Sequence, residues 1–207
     1  MIIALHGKMG SGKSTLANEL VSVLRDQYNI KSVIKSFANP IYKTISNIFN
    51  EPIQDIKNAK EAVFRPRSFE GVRTYREILQ SMGIGLRDYV HEDIWIDALF
   101  GRDNEKILFD WACEYKWWII DDVRFLNEYH RIIKIGGKII KVKRDIPDMH
   151  QELLKSVRNN ASELDLDQIP DESWDLVIDN NSDINFSTDL MKNYIATLLN
   201  TDTKDIS

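Results

Sequence analysis

A single cysteine, Cys113, occurs in the 207 residues. That excludes an internal disulfide framework and fits a reducing compartment. Glycine (9) and proline (5) are scarce and no repeat occurs, which excludes collagenous and low-complexity chains. No stretch reaches the ~18 apolar residues a membrane-spanning helix needs. The opening MIIALHGK has no basic leader, so a signal peptide is not expected. The four histidines, His6, His91, His130 and His150, show no metal-ligand spacing and read as structural or surface groups. Cys113 has no activating neighbour and reads as inert. With 43% hydrophobic and 29% charged residues, the composition predicts a soluble, intracellular domain of ordinary size, with room for an insertion.

The net charge of -5 argues against a generic nucleic-acid coat. Its distribution is uneven. Between Lys57 and Arg87 stand Lys57, Lys60, Arg65, Arg67, Arg73, Arg76 and Arg87 against only Glu61, Glu70 and Glu77. From Asn159 to Met191 there is no Lys or Arg, but nine carboxylates. A solvated face explains either run; the basic one also suits an anion.

Apolar runs at Ile2–His6, Ser32–Phe37, Trp117–Ile120, Lys138–Val142 and Trp174–Ile178 predict five short strands. Helical spacing separates them: Leu16, Leu20, Val23 and Leu24; then Phe125 to Ile135, stopping at Gly136-Gly137; then Leu190, Met191, Tyr194, Ile195 and Leu198. This alternation predicts an α/β fold, a five-stranded parallel sheet between two helical layers. The stretch of about 43–109 holds no good strand and reads as an inserted helical lobe. Trp111, Trp117 and Trp118 read as core.

Residues 7–14, GKMGSGKS, satisfy every fixed position of G-x-x-x-x-G-K-[ST] between a strand and an amphipathic helix. Gly7, Gly10 and Gly12 let the backbone curl so that N–H groups line an anion nest, and the helix N-terminus adds its dipole. Lys8, Met9, Ser11 and Thr15 complete the loop and the helix start. The pattern assigns Lys13 to β- and γ-phosphates and Ser14 to Mg²⁺. No Asn-Lys-x-Asp segment of a GTPase occurs, and the third strand ends in Asp121-Asp122-Val123-Arg124 rather than a motor's Asp-Glu. Either aspartate is placed to orient the magnesium's water, with Arg124 near a second phosphate.

Thr74 to Met82 reads as helix. At about 100° per residue, Arg73, Arg76 and Gln80 share an arc of about 60°, with Tyr75, Ile78, Leu79 and Met82 opposite. Guanidinium forks suit a phosphate, and Gln80 suits a base or sugar edge. Arg87 follows close behind.

These pieces in order resemble the phage-type deoxynucleoside monophosphate kinases of the P-loop superfamily, and more distantly the phosphomevalonate kinases. The matching segments are GKMGSGKS, SFANPIYK, REILQSMGIGLR followed by Trp95, DDVRFLNE, GGKIIKVKR, and NASELDLD leading to WDLVIDNNSD. The resemblance implies one P-loop kinase domain over 1–207, an acceptor-binding insertion at about 43–109 and a lid-like segment at about 145–172. It implies ATP and Mg²⁺ as cofactors, with Gly7 to Thr15 and Arg158 on ATP. Ser14, Asp121 and Asp122 would serve the metal, and Lys13, Asp122, Arg124 and Arg144 the transfer. Lys43, Arg73, Arg76, Gln80, Arg87, Trp95 and Arg124 would serve a nucleoside monophosphate.

It further implies a cytoplasmic enzyme (the host's cytoplasm if phage-encoded) with no stable nucleic-acid or membrane partner and with a homodimer left open. One departure is Asn160, where the family often has His before the Ser162-Glu163 pair. Rival readings are a kinase for dephospho-coenzyme A or phosphomevalonate, a kinase for a modified base or a 5′ end in DNA, and a P-loop sensor that transfers nothing.

Overall fold

Short β-branched runs bounded by turns make buried parallel strands. The computed structural model describes residues 1–60, 63–64, 73–145, 166–181 and 184–202. It divides into two compact units, Met1–Lys35 with Leu108–Ser207, and Ser36–Ile107.

In the first unit five strands form an all-parallel sheet: β1 (Ile2–His6), β2 (Ser32–Lys35), β5 (Trp117–Val123), β6 (Lys138–Lys143) and β7 (Leu176–Asp179). Their order is β2-β5-β1-β6-β7. Period-two alternation sends Ile3 and Leu5 to one face and Ile2, Ala4 and His6 to the other. On the first face Leu16, Leu20 and Leu24 of α1 (Lys13–Tyr28) and Met191 and Ile195 of α8 (Ile184–Asp202) close over Ile3, Leu5, Ile119, Ile140, Val142 and Ile178. On the second, α7 (Leu126–Lys134) brings in Tyr129 and Ile132. The result is the expected three-layer P-loop α/β sandwich. Gly136 (φ 76) ends α7: its N–H meets the Ile133 carbonyl and that of Gly137 the Ile132 carbonyl, both at 2.9 Å, a Schellman closure.

The second unit holds α2 (Asn39–Phe49), α3 (Ile53–Asn58), α4 (Tyr75–Tyr89), α5 (Ile94–Phe100) and the start of α6 (Glu105–Cys113). Its core is Tyr42, Ile45, Ile56 and Tyr75, flanked by Ile41, Ile78, Leu79 and Met82.

The structure departs from the sequence reading at several points. The lobe read as strandless contains a short antiparallel pair, β3 (Val63–Phe64) and β4 (Arg73–Thr74). Arg73 therefore lies in a strand and not on the helix face with Arg76 and Gln80. The cause is a capping box: Thr74 Oγ1 accepts from the Glu77 N–H (3.2 Å) and Glu77 Oε2 from the Thr74 N–H (2.8 Å). That pins the helix start one residue after Thr74. α4 also continues past Met82 to Tyr89 through Gly83 and Gly85. Phe37 lies beyond β2, and Trp174 and Asp175 precede β7. β5 runs on past the apolar Trp117–Ile120 run through Asp121 and Asp122 to Val123, which keeps both aspartates at its carboxyl end, as expected.

Candidate active site

β1 ends at His6 and the chain turns at once into the glycine loop. Gly10 (φ 82) and Gly12 (φ 93) sit in the left-handed region, which a side chain at those positions would strain. Gly12 caps α1, so the helix's first N–H groups open onto the loop. Lys13 arches back over the loop, and its ammonium donates to the carbonyls of Gly7 and, at 2.9 Å, Lys8. The Ser11 hydroxyl is buried (1% exposed) and has no hydrogen-bond partner among the described residues.

Sequence alone left Asp121 and Asp122 interchangeable. The structure separates them: Ser14 Oγ donates to Asp121 Oδ2 at 3.0 Å. A register irregularity does this. Ala4 pairs with Ile120 but His6 with Val123, so two β5 residues lie where β1 has only Leu5. Such a bulge re-aims a side chain at a strand's end. Burial, and after it the charge of Asp122, raises the Asp121 carboxyl above the usual range, against the Ser14 hydrogen bond that lowers it.

Next to the loop His6 is buried. It stacks on Trp174 (5.0 Å between centroids) and donates from Nδ1 to the Val123 carbonyl at 2.9 Å. Burial lowers its pKa, and the charges of Lys13 and Lys141 act in the same direction. A neutral imidazole is the form that fits this site. The acidic run is partly consumed in ion pairs: near the loop Asp167 pairs with Lys8 (3.1 Å) and Asp171 with Lys141 (3.1 Å) and Lys143, and at the amino-terminal end of β6 Asp175 pairs with Lys138 (3.0 Å).

Arg124 and Arg144 are exposed at the carboxyl ends of β5 and β6. Glu128, 1% exposed, accepts from the backbone N–H groups of Arg124 (2.8 Å) and Phe125 (3.1 Å), fixing where the chain leaves β5. The sequence reading did not single out Glu128, or Asn180, whose Nδ2 donates to the Ser11 carbonyl at 2.8 Å. A carboxylate three residues after Phe125 at a helix start was the available signal for the first.

In the second unit, taken by itself, α4 carries Arg76 and Gln80. Arg87 in its last turn donates to the Glu92 carbonyl at 3.0 Å. Lys43 is exposed on α2. Trp95 is 4% exposed and its Nε1 donates to the Gly83 carbonyl at 2.9 Å, bracing α5 on α4. The side chain of Arg73 lies outside the described residues, as do Arg65, Arg67, Arg158, Asn160, Ser162 and Glu163, and with them most of the lid-like segment.

A protein of Acanthamoeba polyphaga mimivirus named “Putative deoxynucleotide monophosphate kinase” is 30% identical over 199 residues, covering 89% of this chain and 90% of that protein. The chain belongs to the deoxynucleotide monophosphate kinase family.

No protein-family model matches this kinase. Among solved structures it is similar to TT1252 from Thermus thermophilus (14% identity, 96% of this chain and 97% of that one, TM-score 0.45). It is also similar to shikimate kinase from Aquifex aeolicus (15% identity, 100% and 99%, TM-score 0.38). A third is deoxyadenosine kinase from M. mycoides (14% identity, 95% and 100%, TM-score 0.36). Scores of this size add nothing to the topology described above. Among the described residues no helix of the kinase is long and apolar enough to cross a membrane.

Proposed function

We propose that this kinase moves the γ-phosphoryl group of ATP to a deoxynucleoside monophosphate, giving the diphosphate. The observation that carries the reading is the glycine loop closed by Lys13 with Ser14 Oγ held 3.0 Å from Asp121. A curled loop of backbone donors, a mobile cation and a hydroxyl–carboxylate pair are what a triphosphate requires. The name of the mimivirus relative supports the monophosphate acceptor.

Mg²⁺ fits these residues. It is a hard cation that favours one or two carboxylates, phosphate oxygens and water over an all-protein cage. Ser14 and Asp121 supply such oxygens, and the raised Asp121 carboxyl is one that a nearby cation would favour in ionised form. When bound, the ion neutralises charge on the β- and γ-phosphates. The chain's own groups do the rest. Lys13 leaves its loop carbonyls for the phosphate oxygens, the loop N–H groups orient the chain of phosphates, and Arg124 and Arg144 lend positive charge. Arg76, Gln80, Lys43 and Arg87 serve the acceptor. Holding acceptor oxygen and phosphorus in line while water is kept out supplies most of the rate.

A coupled ADP-release assay with ATP·Mg²⁺ against deoxy- and ribonucleoside monophosphates tests this, with dephospho-coenzyme A, phosphomevalonate and a DNA oligonucleotide alongside. Release stimulated by a deoxynucleoside monophosphate is expected. Stimulation only by another acceptor would replace the substrate assignment, and ATP binding without transfer to any would leave a sensor.

Arg76→Ala should lower kcat/KM for the acceptor by about 2 kcal/mol, roughly 30-fold, with the KM for ATP unchanged. An unaltered acceptor dependence would return that arginine to the solvated face of α4.

Asp121→Asn should separate stability from turnover. The folded-state pKa of Asp121 is raised, so its ionised form destabilises the fold above that pKa, and the penalty fades as pH falls toward the unfolded value. The variant should therefore melt higher at pH 7, with the gain shrinking on acidification, while transfer drops about 10- to 100-fold. A lower melting temperature at pH 7 would contradict the burial argument.

A further inference from the structure

We infer that Asn180 and Ser187 together form the positioning device that sets the orientation of the Ser11–Gly12 peptide in the phosphate loop. The inference rests on the ATP reading above. Asn180 is the residue that follows β7. Its backbone N–H donates to the Lys143 carbonyl at 2.8 Å, so the β6–β7 ladder runs one step further and holds the residue in strand geometry. Period-two alternation then places its side chain on the face of Leu176 and Ile178, the face that α1 and α8 cover. There Nδ2 donates to the Ser11 carbonyl at 2.8 Å, and Oδ1 accepts from the Ser187 hydroxyl of α8 at 2.8 Å. Both side chains are buried, Asn180 at 5% exposure and Ser187 at 0%.

The direction of this chain is fixed by chemistry. A carbonyl oxygen can only accept, so the amide must turn its NH₂ to Ser11, which leaves its oxygen for the Ser187 proton. Ser187 thus sets the rotamer of Asn180, and Asn180 sets the carbonyl of Ser11. In a planar trans peptide the C=O and the following N–H point in opposite directions. Tying the Ser11 carbonyl to Asn180 turns the Gly12 N–H away from the covered face, toward the side from which a phosphate enters. The same contact explains Gly12 independently of its φ, because a Cβ there would collide with Asn180 Nδ2. Two neighbouring segments, the end of β7 and the start of α8, therefore determine the orientation of a loop peptide whose Ser11 lies 169 residues from Asn180.

Calorimetric titration of ATP·Mg²⁺ and of tripolyphosphate into the full chain, with steady-state kinetics, tests the device. Asn180→Asp keeps the shape but sets an acceptor against the Ser11 carbonyl. It should weaken both ligands about tenfold and raise the KM for ATP to match, with the acceptor KM within about twofold of wild type. Ser187→Ala should move the same quantities the same way by about threefold, and Ser187→Thr should restore them. A merely structural pair would lower the melting temperature without splitting the two KM values.

Wild-type ATP affinity in the two hydroxyl- or amide-deleting variants overturns the inference, as does an equal rise in both KM values. If Asn180→Asp does not fold, wild-type affinity in Ser187→Ala overturns it alone. Wild-type protein that binds neither ATP nor tripolyphosphate overturns the donor-site reading, and this inference with it.

Discussion

Lys13→Ala is expected to lower kcat on the order of 10³-fold or more and to leave the melting temperature within a few degrees of wild type. The side chain is half-buried at the loop, where its ammonium donates to the carbonyls of Gly7 and Lys8. It braces no apolar core, so removing it costs the fold little. In the proposed transfer the nest N–H groups are fixed in place, while the ammonium, on its flexible stem, can follow the moving phosphoryl group. Lys13→Arg should rescue poorly, because a planar fork does not replace a point charge on a flexible stem. Turnover within tenfold of wild type in the alanine variant would remove the loop from the chemistry.

Gly7→Ala should act on fold and function together. Its φ of 158 lies at the edge of the positive range that side chains rarely adopt, and space is the larger obstacle. An added Cβ would run into the backbone carbonyl oxygen of Val142 and stand 2.7 Å from Ser11 Oγ. Val142 lies in β6, paired along β1 up to His6, so relief requires parting two central strands or lifting the loop. Overpacking against rigid backbone costs about 3 kcal/mol, which for a chain of this size lowers the melting temperature by roughly 6–12 °C. Gly85→Ala is the control, since a Cβ there meets nothing within 4 Å and sits mid-helix in α4. That change should stabilise by about 0.5–1 kcal/mol. Equal melting temperatures for the two variants would show that the strand–loop junction is softer than its packing implies.

Why some of this was legible in the sequence and some was not follows from the range of the interactions. The strands and the loop–helix junction are local: apolar runs, glycines and a lysine within one segment, decided by sterics and by the period of burial. The end of α7 was equally plain in Gly136-Gly137. Arg73 was misplaced for an equally local reason, because the Thr74–Glu77 capping box outweighed the continuous helical pattern that seemed to include it. Trp95 could not be judged from its type, since a buried indole bonded to Gly83 and a base-stacking one look alike in sequence. Asp121 could not be separated from Asp122, because the deciding fact is a register slip against Leu5, more than a hundred residues away. Asn180 lay in a segment quoted for its resemblance, but its partners Ser11 and Ser187 come from opposite ends of the chain.

The ion pairs along β6 bear on how a nucleotide arrives. A run of carboxylates beside a phosphate site would repel a polyanion at distances up to the Debye length of about 8 Å and slow its capture. Here Lys8, Lys141 and Lys143 are matched to Asp167 and Asp171, three positive groups to two negative. The potential that these pairs present to an incoming triphosphate is therefore near neutral and slightly positive. On the proposed reading, a chain with a net charge of -5 thereby presents little negative field at these pairs to an arriving nucleotide.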